Sequence, residues 1–200
     1  MKHDGEFDAG ASAGRVLLHI WSALEDGVKS GSPFNLLQLA SMDEANKPAV
    51  RTIVLRQFRR TPGELFFVTE AASRKVAQIL LNNEVSLVGY DASTWSQIRL
   101  SGQAYVVSDE QERLLQWTKL SDRTRRSFFP CVESPDADDK IPEESGAPTR
   151  RGSIPPAAFA LVKVRLCAAE FLDISKEEHL QYNFARSENV WTGGRTKPIA

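Results

Sequence analysis

Between Phe34 and Val107 the hydrophobic pattern is broken into five short runs rich in Val, Ile, Leu and Phe: FNLLQLAS, AVRTIVLRQF, ELFFVT, EVSLVGYD and WSQIRLSGQAYVV. The first three are separated only by DEANKP and RRTPG. Turn residues at so short a spacing join neighbouring antiparallel strands, because a parallel pair would need a crossover of a dozen residues or more. One helical stretch interrupts the runs, SRKVAQILLN (73–82), with Val76, Ile79 and Leu80 at helical spacing. AAFALVKVRLCAAEFLDI (157–174) adds a long bent strand. The expected fold class is therefore mainly β (α+β), a six-stranded antiparallel barrel with flanking helices.

Two further helices flank this block. GRVLLHIWSALE places Val16, Leu17, Ile20, Trp21 and Leu24 on one stripe ahead of Gly27 and Gly31, which predicts an N-terminal helix over about 11–27. His19 lies on it with no second ligand one turn away, so packing or surface exposure is its expected role. SDEQERLLQWTKL (108–120) opens on a Ser108 cap with acids in its first turn and turns Leu114, Leu115 and Trp117 inward. The proline- and acid-rich stretch of about 130–156 lacks apolar periodicity and reads as a mobile loop. Shorter segments around His179–Arg186 and Val190–Thr196 complete a single expected domain, 1–200.

Charge and cysteine usage narrow the function. Lysine and arginine number 25 against 26 acids, so nothing global favours nucleic acid, and the local runs RQFRR (56–60), RTRR (123–126) and Arg150-Arg151 lack interleaved aromatics. The most apolar stretch, Pro155–Leu172, is broken by Lys163 and Arg165, short of the roughly 18 uninterrupted residues of a spanning helix. MKHDGEFDAG has no apolar signal region, so a cytoplasmic protein without membrane partners is expected. Cys131 and Cys167 form neither a disulfide framework nor a zinc spacing, and no metal site is expected.

Three local patterns carry chemistry. Arg74 and Lys75 follow Ser73 at a helix N-terminus, where adjacent cations oppose the helix dipole. A phosphate there would remove the conflict, taking backbone N–H bonds, the Ser73 hydroxyl and both cations, with Thr69 four residues earlier adding a hydroxyl. RTIVLR (51–56) flanks an apolar run with Arg51 and Arg56, an arrangement that suits a strand whose ends emerge at a groove. Alternation then puts Gln97, Arg99 and Ser101 on one strand face, suited to hydrogen bonding with a planar heterocycle or with water.

PAVRTIVLR (48–56), ELFFVTEAASRK (64–75), NNEVSLVGY (82–90) and WSQIRLSGQAYVV (95–107), in that order, resemble the FMN-binding split barrel of pyridoxamine 5'-phosphate oxidase and its relatives. The resemblance implies a split β-barrel and FMN as cofactor. It implies that Arg51, Thr52, Ile53, Val54, Leu55 and Arg56 line the flavin and its phosphate, that Thr69, Arg74 and Lys75 hold the phosphate and that Gln97 faces the ring, with Val68, Ser73 and Arg99 completing the cofactor-binding set. It also implies a homodimer with FMN at the subunit interface and a small-molecule substrate. No residue is assigned a catalytic role; Arg56 and Arg99 are candidates to steady charge on the reduced ring or to orient an anionic substrate. Arg56 stands where the family's motif usually ends in lysine. EFLDISKEEHLQYNFAR (170–186) lacks the tryptophan and the Arg-x-His pair of true pyridoxamine-phosphate oxidases, and the helix ending in Trp117 and followed by SDRTRRSFFP (121–130) resembles instead a divergent, Alr4036-type branch. The implied function is an FMN-dependent oxidoreductase with a different or unknown substrate; the alternative is a non-catalytic flavin-binding or flavin-sensing protein.

Overall fold

A computed structural model describes residues 12–129 and 154–196. The chain runs through α1 (Ala13–Gly27), a 3₁₀ turn (Pro33–Asn35), β1 (Leu36–Met42), β2 (Pro48–Val54), β3 (Gln57–Arg59), β4 (Glu64–Glu70) and α2 (Arg74–Leu81). It continues through β5 (Glu84–Asp91), β6 (Ser96–Val106), α3 (Glu110–Lys119), α4 (Asp122–Arg126), β7 (Phe159–Asp173), β8 (Leu180–Ser187) and β9 (Val190–Thr196). Most of the stretch at about 130–156 lies outside the described residues.

Every strand pair is antiparallel, in the order β2-β1-β5-β6-β7-β4-β3. The sheet forks at β7, the long bent strand. Its first half pairs with β4, from Phe159 opposite Glu70 to Arg165 opposite Glu64, and its second half pairs with β8, while β6 follows its other edge. The bend falls at a bulge where Cys167 is the extra residue, facing Gly102. A Cβ at Gly102 would lie 2.2 Å from the Arg165 carbonyl oxygen, so only glycine permits the approach.

The described residues hold nine strands rather than the six expected. The two C-terminal segments are strands that extend the fork, and AVRTIVLRQF divides into β2 and β3. The division follows from the backbone. The Leu55 amide donates to the Asn35 carbonyl at 2.8 Å and the Arg56 amide to the Phe66 carbonyl at 2.9 Å, so two residues carry the chain from one end of the sheet to the other. β2 and β4 therefore face each other unpaired, and the barrel stays open between them. β3 pairs with β4, as the turn RRTPG requires, but β2 does not pair with β3.

Two clusters form the core of the described residues. α1 lays Val16, Ile20, Trp21 and Leu24 against Leu39, Leu55, Phe67, Ile98 and Phe171 of the sheet. On the other side, Phe66, Leu161 and Phe159 pack with Trp117, Leu120 and Phe128. β4 supplies both, Leu65 and Phe67 to the first and Phe66 to the second, which is why ELFFV is apolar without alternation. α3 differs from expectation: Asp109, not Ser108, caps it by accepting from the Glu112 amide, and Leu114 and Leu115 are exposed. Gln116, Trp117 and Leu120 are buried instead, and Arg113 on the same stripe donates to the Phe159 carbonyl at 2.9 Å, so the helix is fixed by the stripe that meets β7. In α2, Val76 and Ile79 are buried but Leu80 is exposed.

Candidate functional site

Three elements meet at the opening of the barrel. β2 is an edge strand with Ile53 buried and Val50 exposed, so alternation turns Arg51 inward with Ile53. β4 brings Thr69 there one residue before its end at Glu70, and α2 starts there with Lys75 in its first turn. The Lys75 Nζ donates to Thr69 Oγ1 at 2.8 Å, and Thr69 Oγ1 lies 3.4 Å from Ser73 Oγ. Arg51 Nη1 donates to Ser41 Oγ at 2.6 Å and Nη2 to Gln78 Oε1, while the Ser41 hydroxyl donates to the same Gln78 oxygen at 2.8 Å.

The electrostatics of this group are one-sided. Neither Arg51, Arg56 nor Lys75 has a carboxylate in ion-pair contact among the described residues. Burial lowers the pKa of Lys75 below the ordinary lysine value, the Arg51 charge lowers it further, and Glu70 opposes both. Burial likewise pulls Arg51 and Arg56 below the usual arginine value, and the Arg56 Nε is buried with no hydrogen-bond partner. Partly desolvated cations without counterions are costly unless an anion supplies the missing charge.

The helix start adds donors. Ser12, Asp109 and Ser121 cap α1, α3 and α4 through their side chains, but Ser73, in the same position on α2, makes no such bond. The first amides of α2 therefore have no side-chain cap, and the Ser73 hydroxyl lies towards Thr69. Amides, two hydroxyls and two cations around one opening are the chemistry that binds a phosphate or carboxylate.

The residues expected from sequence separate into groups. Arg51, Thr69, Ser73 and Lys75 come together; Arg74 is exposed beside them. The side chains of Ile53 and Leu55 are in the core, and Val68 packs on the second cluster, so only their backbones are available to a ligand. Thr52, Val54, Gln97 and Arg99 lie on the outer sheet face, where Arg99 pairs with Glu170 at 3.3 Å. Ser41 and Gln78 went unnoticed in the sequence. Gln78 had a visible signal, lying one helical turn beyond Lys75 and Arg74. Ser41 had none, because its place beside Arg51 depends on the β1–β2 register.

Solved structures share this architecture. A pyridoxamine 5'-phosphate oxidase-related, FMN binding protein from Nostoc punctiforme aligns at TM-score 0.68 and 23% identity over 93% of this chain and 95% of that one. PhzG from Burkholderia lata, in complex with tetrahydrophenazine-1-carboxylic acid, aligns at TM-score 0.68 and 23% identity over 98% of both chains. Fold and site together define an open split barrel with hydroxyls and half-buried cations gathered at its opening.

Residues 18–108, from α1 through β6, match the model of the pyridoxamine 5'-phosphate oxidase FMN-binding domain. Pyridoxine/pyridoxamine 5'-phosphate oxidase 2 of Arabidopsis thaliana is 22% identical over 81% of this chain and 86% of its own length. The pyridoxine/pyridoxamine 5'-phosphate oxidase of Allorhizobium ampelinum is 29% identical over 68% of each. Residues 18–108 are thus similar to the FMN-binding domain of the pyridoxamine 5'-phosphate oxidase-like superfamily, and the fold is the one its solved structures share.

Proposed function

We propose that the protein is a cytoplasmic FMN-dependent oxidoreductase acting on a small-molecule substrate. The observation that carries this is the pair of half-buried cations at the barrel opening, Arg51 and Lys75, with no carboxylate in ion-pair contact among the described residues. These residues fit a phosphate-bearing cofactor, and FMN ends in one phosphate. Lys75, Thr69, Ser73, Arg51 and the first amides of α2 would hold that phosphate, with Arg74 adding charge from the surface. FMN, when bound, supplies two-electron redox chemistry. The chain's part is to bind, orient and polarise: Arg56 brings a buried, unpartnered N–H to the junction of the sheet ends, where it can steady an anion.

The homodimer reading explains the outer face. Leu36, Val50 and Tyr90 are exposed there, on the same face as Gln97 and Arg99. A second copy on this face would cover the apolar residues and bring Gln97 and Arg99 to an interfacial flavin.

One observation favours a narrower substrate range or a non-catalytic flavin-binding role. In the stretch after His179, where an Arg-x-His pair would grip a phosphorylated pyridoxine, Leu180 and Tyr182 are buried in the core. Pyridoxine 5'-phosphate should therefore be a poor substrate. The test is to load the protein with FMN, reduce it with a candidate donor and follow reoxidation in air. Repeated cycling supports an oxidoreductase, whereas bound flavin that cycles no faster than free FMN supports a sensor. Aerobic oxidation of pyridoxine 5'-phosphate with kcat/KM of about 10⁴ M⁻¹s⁻¹ or more would overturn the narrower substrate reading.

A further inference from the structure

We infer that Ser41 and Gln78 are positioning residues: as neutral acceptors they hold the Arg51 guanidinium at the barrel opening and leave its charge for the phosphate. The inference rests on the phosphate-site reading above and adds to it two residues that reading does not use, Ser41 of β1 and Gln78 of α2.

Arg51 offers five N–H donors, and two are committed, Nη1 to Ser41 Oγ at 2.6 Å and Nη2 to Gln78 Oε1. Ser41 is only 2% exposed, and its hydroxyl accepts from Arg51 while donating to Gln78 at 2.8 Å. The three groups thus form a closed triangle across β1, β2 and α2, fixing both the arginine plane and the first turns of α2 to the sheet. The Gln78 amide must present its oxygen, since both neighbours donate to it. No carboxylate takes part. A glutamate at 78 would make the same bonds with similar shape but would neutralise Arg51 and put a negative charge beside the incoming phosphate. The amide anchors the cation without neutralising its charge.

The experiment compares FMN with riboflavin, which lacks the phosphate, by flavin fluorescence titration on the full chain. Gln78→Met and Ser41→Ala should each weaken FMN binding about tenfold and leave riboflavin within about twofold, as expected for loosening one charge-assisted contact. Gln78→Glu should weaken FMN more than Gln78→Met does, while the thermal midpoint of the flavin-free protein stays level or rises. In an Arg51→Met background, Gln78→Met should add less than about a further twofold. Equal losses for FMN and riboflavin would show a merely structural role and overturn the inference, as would FMN affinity in Gln78→Glu equal to the parent's. Ser41→Ala, which removes one buried oxygen, decides the matter if the Gln78 variants fold poorly. If Arg51→Met leaves FMN affinity unchanged, the phosphate-site reading itself fails. If Arg51→Met weakens FMN and the Ser41 and Gln78 variants do not, only the positioning role fails.

Discussion

The two ends of β4 carry cationic groups of opposite character. At its start, Glu64 is buried between Arg59 at 3.7 Å and Arg165 at 3.8 Å; Arg59 also pairs with Glu112 at 2.8 Å and lies 4.5 Å over the Phe66 ring. At its end, Thr69 sits among Lys75, Ser73 and Arg51, with no carboxylate in ion-pair contact among the described residues. Each arginine at the first end is answered within the chain, so that group locks strands and α3 together. The cations at the second end are anchored by hydroxyls and an amide, which set their positions but not their charge. A cation's counterion, more than its burial, therefore separates a structural role from a binding one.

Removing Glu64 should have the largest effect and should be confined to the fold. Glu64→Ala leaves Arg59 and Arg165 facing a buried gap, and should lower stability by about 2–4 kcal/mol in denaturant melts while FMN affinity of the folded fraction shifts less than about twofold. A loss of flavin affinity without a loss of stability would break the comparison.

Lys75→Met should do the reverse. The loss of one charge-assisted contact weakens FMN binding by about one to two orders of magnitude. The flavin-free protein should be as stable as the parent or more so, because an uncompensated charge has been removed from a partly buried site. Calorimetric titration and a thermal melt of the same samples check both signs. Arg74→Ala should cost FMN affinity no more than about fivefold, since its side chain is exposed and screened by water.

The smallest effect is that of alkaline pH. Lys75 has a folded-state pKa below its unfolded value of 10.5, so in the window beneath 10.5 the unfolded chain keeps a proton that the folded protein has lost. Stability of the flavin-free protein then gains a small increment as pH rises through that window, while FMN affinity falls as Lys75 loses its charge. Lys75→Met should abolish both slopes. Parallel slopes of the same sign would contradict the assignment.

Much of the fold was legible because local signals agree with it. The five runs between Phe34 and Val107, the α1 stripe and the long run through β7 each carry their own periodicity. The division at Leu55–Arg56 was not legible, because it depends on which carbonyls those two amides find, Asn35 on one side and Phe66 on the other. The facing of α3 was not legible, because Leu114 and Leu115 outweigh Gln116 on hydrophobicity, although the stripe through Trp117 and Leu120 is the one that meets β7. In the site, Ser73 and Lys75 were legible from the conflict of cations with a helix dipole. Gln97 and Arg99 were legible as a strand face but not as the outer face, which depends on where α1 covers the sheet.

The central claim is that the opening between β2 and β4 selects a terminal phosphate. Titrating the flavin-free protein with FMN and with riboflavin at the same ionic strength tests it most directly. Contacts from Lys75 and Arg51, at roughly 1.5–3 kcal/mol each, predict FMN bound at least about 100-fold more tightly than riboflavin. Equal affinity for the two flavins, or binding of neither, would contradict the account.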